Sequence, residues 1–452
     1  MVVQKFGGTS VADPDAVRRL IEIARTARAR DGRGPVVVVS ALSGVTDALL
    51  TVAAEAGAAR VEQALSQVDQ LRARHVAMAQ ALVGDGDRAA LTAQIESQFD
   101  QLVAVVKALG VLREVSPGTL DVVASMGELL SSRIVAGALV HAGLPGEWVD
   151  ARRAIVTTHD YTRAVPLMRE THAALRASVT PLVDAGRIPV LGGFVGATVE
   201  GHTTTLGRGG SDYSGAVVGA GIGAAEIHIW TDVDGMLTTD PRIIPQARLV
   251  PRLSFAEAAE LAYFGAKVLH PSTIHPAVER NIPVRILNSR KPDGTGTLIT
   301  AEPAPGASPL TALAAKRDVT VVDITSDRML MAYGFLRRVF EVFERFETAV
   351  DVVTTSEVSV SVTVDDRRHL DAIGEALSDF AEVSIEPEMA LLCAVGDRLR
   401  AEPAIAARVV GVLEEVPLRM ISQAASRRNI TVIMRQADLP HAMRRLHEEF
   451  FE

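Results

Sequence analysis

Two glycine-rich segments hold the residues with the most evident chemistry. In Lys5-Phe6-Gly7-Gly8-Thr9-Ser10 an apolar run ends at Phe6, two glycines free the backbone, and hydroxyl residues precede a helical run over 17–29. Amides in such a loop point at an anion, and the dipole of the following helix adds to the field. Lys5 supplies a full positive charge, so the expected chemistry is that of phosphate oxygens; a tight strand–helix turn with a surface lysine is the plain alternative. In Thr203-Thr204-Thr205-Leu206-Gly207-Arg208-Gly209-Gly210-Ser211-Asp212, three glycines surround one arginine just before a helical stretch over 214–220. Backbone and guanidinium can both approach an anionic ligand there. Ser211 is a natural N-cap, and Asp212 would face a cation, either an ammonium or magnesium. A flexible capped loop accounts for Ser211 and Asp212 but not for an arginine among glycines.

Weaker signals accompany these two. Ser40-Ala41-Leu42-Ser43-Gly44-Val45-Thr46 follows a buried strand, where α/β sheets bind ligands, or is an ordinary Ser/Gly turn. Glu128 sits in an otherwise apolar helical stretch, half buried with a cation or else exposed. Thr231-Asp232-Val233-Asp234-Gly235 reads as a turn after a strand, and Lys267 either neutralises phosphate or solvates a helix. The chain has no GxxxxGK[ST] loop. Gly219-Ala220-Gly221-Ile222-Gly223-Ala224 matches G-x-G-x-x-A formally, but it follows a helical run and reads as a helix terminus. His270 and His275 flank prolines at a spacing unlike the i, i+4 pair of a zinc helix, so no protein-held metal site is expected.

The elements that must position these residues follow from periodicity. Val2–Phe6, and the runs 36–40, 188–195, 227–231 and 284–287, read as buried strands. Between them lie helical spacings, including two runs over 65–82 and 91–109 that form a helical hairpin. Strands alternating with helices argue for a mostly parallel sheet covered on both faces. The segment 302–309 has three prolines and a glycine in eight residues, a linker composition. Beyond it the units shorten. Runs 319–325, 350–354, 358–364, 383–385, 390–395 and 430–434 are extended, and 335–346, 370–377, 404–413 and 439–450 helical. Two small β-α-β-β-type units fit this stretch.

Composition bounds the function. The 452 residues carry 48% hydrophobic and 22% charged residues, which excludes a wholly disordered chain. Net charge is −9 with no basic block, so neither nucleic acid nor a membrane surface is an expected partner. The longest purely apolar runs fall far short of the ~18 residues of a spanning helix, and no signal peptide is visible. Cys393 is the only cysteine, so there is no internal disulfide. A soluble cytoplasmic protein is expected.

In order along the chain, KFGGTSVA (5–12), SALSGVTDALL (40–50), SMGELLS (125–131), GFVGA (193–197), TTTLGRGGSDYSGA (203–216), IWTDVDGMLTTDPR (229–242) and FGAKVLHP (264–271) resemble the aspartate kinases of the amino-acid kinase superfamily. TTSEVSVSV (354–362) resembles the regulatory ACT domains of the monofunctional, lysine-sensitive type. The resemblance implies an α/β amino-acid kinase sandwich over 1–302, a linker over 303–312 and two α+β, ferredoxin-like ACT domains over 313–452. With the chain stopping at Glu452, no homoserine dehydrogenase is expected.

The implied reaction is ATP plus L-aspartate giving 4-phospho-L-aspartate and ADP, with Mg2+. Lys5 would stabilise the transferring phosphoryl group, with Gly7, Gly8 and Ser10 cradling phosphates. Arg208 would clamp a substrate carboxylate with Thr46 and Ser211, and Glu128 would hold the substrate ammonium. Asp212 would organise the phosphate and magnesium region. Thr231, Asp232, Arg242 and Lys267 carry over as nucleotide contacts. Met329, Gly334, Phe335, Leu336, Val350, Asp351, Thr355, Ser356 and Glu357 correspond to an effector pocket, its acidic pair suiting L-lysine. The sequence departs from the pattern at Leu237, where many relatives have tyrosine, and at Met331 and Ala332, where lysine-sensitive relatives carry His and Ser. Homo-oligomerisation through the ACT domains is expected by analogy. The competing expectation is a non-catalytic amino-acid sensor on a retained kinase fold.

Overall fold

The computed structural model describes the chain except residues 208, 266–270, 304–307, 327–332, 400–401 and 424–425, and the side chains at 85, 271 and 403. It forms two compact units, Met1–Met236 with Val268–Glu302, and Leu237–Lys267 with Pro303–Glu452.

The first unit runs β1 (Val2–Phe6), α1 (Pro14–Asp31), β2 (Val36–Val39), α2 (Val45–Gly57), α3 (Val61–Leu82), α4 (Asp85–Leu112), α5 (Pro117–His141), β3 (Gly146–Val149), α6 (Met168–Ser178), α7 (Thr180–Asp184), β4 (Ile188–Gly192), β5 (Val195–Ala197), β6 (Thr203–Thr205), α8 (Gly210–Ile222) and β7 (Glu226–Thr231), and returns with α10 (His275–Glu279), β9 (Val284–Asn288) and β10 (Thr297–Thr300). Its strands lie in the order β3-β4-β2-β1-β7-β9-β10. All neighbouring pairs are parallel except β9–β10. β1 and β2 are buried at every position because both faces of the sheet are covered, which is why they read as continuous apolar runs. β1 is central, so the loops after β1, β2, β4, β7 and β9 meet at one edge, the usual ligand-binding edge of such a sheet.

The expected strand over 188–195 is two strands. The chain breaks at Gly193-Phe194, where Phe194 has a φ of 64°, and β5 then pairs with β6 as a separate ribbon. That left-handed residue is held by its own amide, which donates to Ser214 Oγ at 2.8 Å.

α5 is long and apolar enough to cross a membrane by length and composition, yet 83% of its apolar window is buried inside the protein. It is a core helix, apolar on nearly all sides because protein surrounds it. α8 ends at Ile222 with Gly223 at a φ of 64°, the helix terminus expected there and not a dinucleotide loop.

The second unit holds β8 (Arg252–Ser254), α9 (Phe255–Tyr263), β11 (Ala312–Thr325), α11 (Phe335–Arg345), β12 (Val353–Thr355), β13 (Ser359–Val364), α12 (Leu370–Ser378), β14 (Glu382–Val395), α13 (Pro403–Val412), β15 (Leu418–Gln423), β16 (Asn429–Arg435) and α14 (Leu439–Phe451). Its strands form one antiparallel sheet in the order β12-β13-β11-β14-β16-β15. β11 and β14, 14 residues each, run through both halves of this sheet, so the two α+β repeats are interlaced rather than consecutive. One apolar cluster, with Val339, Phe343, Val362 and Ile373, serves one half; another, with Leu392, Val409, Val432 and Leu446, serves the other. The segment 237–267 groups with this unit. α9 is fastened by Glu260, which accepts from Asn429 Nδ2 at 2.7 Å, and by Glu257, which accepts from Thr311 Oγ1 at 2.6 Å.

Candidate active site

Lys5 is the last inward residue of the central strand on the face toward α8, and its ammonium lies 2.6 Å from Asp212 Oδ1 in the first turn of that helix. Lys5 is buried, and its stem passes against Gly215, where a Cβ would come within 3.1 Å of Lys5 Cβ. Gly7 follows at the strand end; its amide donates to the Trp230 carbonyl at 3.0 Å, and its Cα side faces Lys5 Nζ. Gly8 sits against the backbone of Ala41 and Ser43, so the loops after β1 and β2 touch.

Ser10 is turned inward. Its hydroxyl shares a 2.8 Å hydrogen bond with Ser289 Oγ and lies 3.3 Å from the Trp230 carbonyl. It ties the loop to the ends of β7 and β9. Thr46 stands half-buried in the first turn of α2, behind Gly44 in the left-handed region.

Glu128 is the buried acid of the cluster. Burial pushes its carboxyl up to about 8, against a backbone hydrogen bond from Ala41 and the positive charge of Lys5. Its Oε2 is buried without a hydrogen-bond partner. A lone carboxylate oxygen in a low-dielectric site beside a lysine is a costly feature that a ligand cation would relieve. α5 is anchored nearby by Ser131, which donates to the Ser40 carbonyl at 2.8 Å.

Ser211 does not cap α8. The N-cap is Gly209, at a φ of 76°, and Ser211 is already helical, half-buried in the first turn. The glycines let the chain enter the helix through a left-handed residue, so no side-chain cap forms. Gly193 makes room for this turn: a Cβ there would lie 2.9 Å from Ser211 Cα.

Thr231 ends β7, its carbonyl accepting from the Ser289 amide at 2.9 Å, and Asp232 is exposed beside it. Lys5, Gly7, Gly8, Ser10, Thr46, Glu128, Ser211, Asp212, Thr231 and Asp232 therefore gather at one edge of one sheet. Arg208, Lys267 and Met329 lie outside the described residues, as do Met331 and Ala332. Arg242 belongs to the second unit, exposed and paired with Asp240 at 2.7 Å. Leu237, also in that unit, is half-buried and bridges to Leu249.

Several contributing residues escape motif reading. Asp121 of α5, 1% exposed, accepts from the amides of Thr162 and Thr205 and from Thr205 Oγ1 at 2.5 Å, fixing the end of β6 just before the glycine loop. Ser289 holds Ser10, and Asn288 donates to Asp234 at 2.6 Å, shaping the turn after β7. Only the polarity of Asp121 within an apolar helix could have drawn notice.

Of the effector set, Gly334 has a φ of 84° before α11, Phe335 is buried and Leu336 exposed. Val350 is half-buried, and Thr355, Ser356 and Glu357 are exposed along the sheet edge formed by β12. Both Asp351 oxygens are engaged, Oδ2 by Lys316 Nζ at 2.8 Å and Oδ1 by the Tyr263 hydroxyl at 3.1 Å. Lys316 also pairs with Asp365 at 2.6 Å.

Residues 1–288 match the model of the amino acid kinase family, and 392–450 match that of the ACT domain. The chloroplastic aspartokinase 3 of Arabidopsis thaliana is 37% identical over the whole chain, covering 81% of that protein. The lysine-sensitive aspartokinase 3 of Escherichia coli is 34% identical, with 100% of this chain and 99% of that protein aligned. Among solved structures, E. coli aspartokinase III in complex with lysine and aspartate (T-state) superposes with a TM-score of 0.86 at 34% identity, all of both chains being covered. The same enzyme with aspartate and ADP (R-state) gives 0.82.

Proposed function

This chain belongs to the amino acid kinase family and is one of its aspartokinases, and we propose that the cluster around Lys5 transfers the γ-phosphoryl group of ATP to the side-chain carboxylate of L-aspartate. The observation that carries this assignment of the site is the Lys5–Asp212 pair beside a buried, unpartnered Glu128 oxygen, at the carboxyl ends of the central strands. An aspartate side chain has a pKa near 3.9, so the nucleophile is ionised at neutral pH and needs no general base. The obstacle is repulsion between two anions, which positioning and fixed positive charge overcome.

In this reading Asp212 holds the Lys5 ammonium in place until phosphate oxygens arrive, and Lys5 then stabilises the transferring group. The Gly7 and Gly8 backbone leaves room for the phosphates, and Ser10 keeps the loop on Ser289. Glu128 takes the substrate ammonium, ionising as it does so. Arg208, Thr46 and Ser211 orient the substrate carboxylates. Thr231, Asp232, Arg242 and Lys267 contact the nucleotide. Among the described residues no group of three or more His, Cys, Asp or Glu side chains is placed to hold a metal. In this reading a magnesium ion would arrive on the nucleotide and neutralise phosphate charge, with Asp212 the carboxylate nearest to it.

The effector in this reading is L-lysine, taken at Met329, Gly334, Phe335, Leu336, Val350, Asp351, Thr355, Ser356 and Glu357. Asp351 already faces one ammonium, that of Lys316, so a ligand ammonium of the same chemistry suits it. The outer edges of β12 and β15 are unpaired among the described residues, and each exposes an apolar side chain, Val353 and Ile421, which supports a homo-oligomer built through these sheets. A cytoplasmic location accompanies the reading. The test is ADP release with Mg-ATP and L-aspartate, with and without L-lysine: turnover that requires aspartate and is suppressed by lysine is expected, and aspartate-independent ADP release contradicts it.

A further inference from the structure

Asp351 is fixed in place by its own backbone. Its amide donates to the Thr363 carbonyl at 2.9 Å, and the next amide, that of Val352, donates to Thr363 Oγ1 at 2.9 Å. The residue is thereby tied to β13, and its side chain is only 7% exposed. Both carboxylate oxygens are taken: Oδ2 accepts from Lys316 Nζ at 2.8 Å and Oδ1 from the Tyr263 hydroxyl at 3.1 Å. Neither donor belongs to the effector set. Lys316 stands in β11, and Tyr263 ends α9. An acid this enclosed has little room for a further ammonium, so a ligand that takes it must displace a donor.

Lys316 has somewhere to go. Its ammonium also lies 2.6 Å from Asp365 Oδ2, just past the end of β13, where the carboxylate is 41% exposed. The Tyr263 ring flanks it, its centroid 5.9 Å from Nζ. Burial works against the charged form of Lys316, but the hydrogen bonds to Asp351 and Asp365 outweigh it and hold the ammonium above the usual lysine range. Among the described residues these two carboxylates are the charges that act on it, so the three groups keep a net negative charge that a second cation would balance. A lysine stem is flexible and the Asp365 end is the wetter one, so Lys316 can leave Asp351 and stay paired at small cost.

On the reading of this pocket as the L-lysine site, on which the inference rests, we propose that Lys316 is a built-in competitor of the effector: its ammonium sits on the Asp351 oxygen that an ammonium of L-lysine takes, and it yields by retreating to Asp365. The effector's apparent affinity is then reduced by the fraction of molecules in which Lys316 occupies Asp351. A residue that merely propped Asp351 in position would have the opposite effect when removed.

Binding of radiolabelled L-lysine to the full chain, measured by equilibrium dialysis at pH 8 without substrates, reads this directly. Lys316→Met keeps the stem and removes the competitor, and its dissociation constant is expected to fall about tenfold below the parent's. Asp365→Asn removes the retreat and should raise the constant about threefold; this change is at an exposed position and serves as the test should Lys316→Met not fold. In the double variant the Asp365 change should add nothing, because there is no lysine left to retreat. A constant that is equal or higher in Lys316→Met, equal or lower in Asp365→Asn, or raised by Asp365→Asn as much without Lys316 as with it, overturns the proposal and leaves the effector site standing. Asp351→Asn is the control for the site itself and should bind at least about tenfold more weakly. If it binds as the parent does, or the parent binds no L-lysine, the effector assignment falls and the competitor with it.

Discussion

Lys5 Nζ and Asp212 Oδ1 stand 2.6 Å apart although 207 positions separate them in the chain (212 − 5). One is the next-to-last residue of the central strand and the other lies in the first turn of the helix packed across it, so the pair holds the strand end and the helix start at a fixed spacing. Lys5→Met keeps the stem packed on Gly215 but removes the charge proposed to stabilise the transferring phosphoryl group. A kcat loss of roughly 10²–10³-fold or more is expected while nucleotide still binds, which shows that the site is folded. Asp212→Asn should lose less. The double variant should lose no more than Lys5→Met, because the two residues act as a unit.

With Glu128 taking the substrate ammonium as proposed, aspartate binding becomes pH-dependent. With its free carboxyl raised to about 8 by burial, the site is mostly protonated at neutral pH, and binding an ammonium must release that proton. KM for aspartate should fall as pH rises from 6.5 to 8.5 and level off above, while Glu128→Gln should bind aspartate weakly at every pH. Stability has the opposite dependence. The folded state binds a proton that the unfolded state has lost, so this stabilisation is complete below about 4.5 and disappears as pH rises through about 8. Above that pH Glu128→Gln should be more stable than the parent by on the order of a few kcal/mol, measured by denaturant unfolding.

Asp121 is the hidden support of the glycine loop. Its carboxylate meets two backbone N–H groups and one hydroxyl, and Asp121→Asn turns an amide NH2 toward those donors. A cost of about 2–4 kcal/mol is expected, seen as a lower unfolding midpoint, together with a rise in KM for aspartate. An unchanged midpoint would show that the loop does not depend on this acid.

The sequence carried the strand ends and the glycine loops clearly, because continuous apolar runs and Gly-Gly pairs are local signals. It could not carry contacts made at a distance. Ser10 reads as part of a phosphate loop, and its hydroxyl also bonds Ser289, a partner visible only once β1, β7 and β9 lie side by side. Ser211 reads as a cap because it precedes an apolar run, whereas Gly209 enters the helix two residues earlier. The break at Phe194 has no glycine or proline at the left-handed position itself, and only the Ser214 hydroxyl explains it. Interlacing of β11 and β14 is likewise invisible, since each half-strand looks like a short strand in its own repeat.

Gly193→Ala tests how closely the two halves of the site are packed. The new Cβ would meet Ser211 Cα at 2.9 Å, a backbone contact that side-chain rotation cannot relieve. Loss of stability of about 1–3 kcal/mol and a higher KM for aspartate are expected, with nucleotide binding retained. Equal kinetics in the variant would mean that the start of α8 moves freely.

With the effector pocket assigned as proposed, Asp351 separates regulation from chemistry. Asp351→Asn leaves Lys5, Asp212 and Glu128 untouched but removes the charge that faces Lys316 and Tyr263. Half-inhibition by L-lysine should require at least tenfold more effector, with uninhibited kcat within about twofold of the parent. Unaltered lysine sensitivity would place the effector elsewhere.

The most direct measurement traps the product. Mg-ATP and L-aspartate are incubated with the protein and hydroxylamine, which converts an acyl phosphate into a hydroxamate, and nucleotide binding is measured in parallel. The parent should form aspartyl hydroxamate in step with ADP, and Lys5→Met should bind nucleotide and form almost none. Nucleotide bound without hydroxamate from the parent, or full product from Lys5→Met, would contradict the assignment of phosphoryl transfer to this cluster.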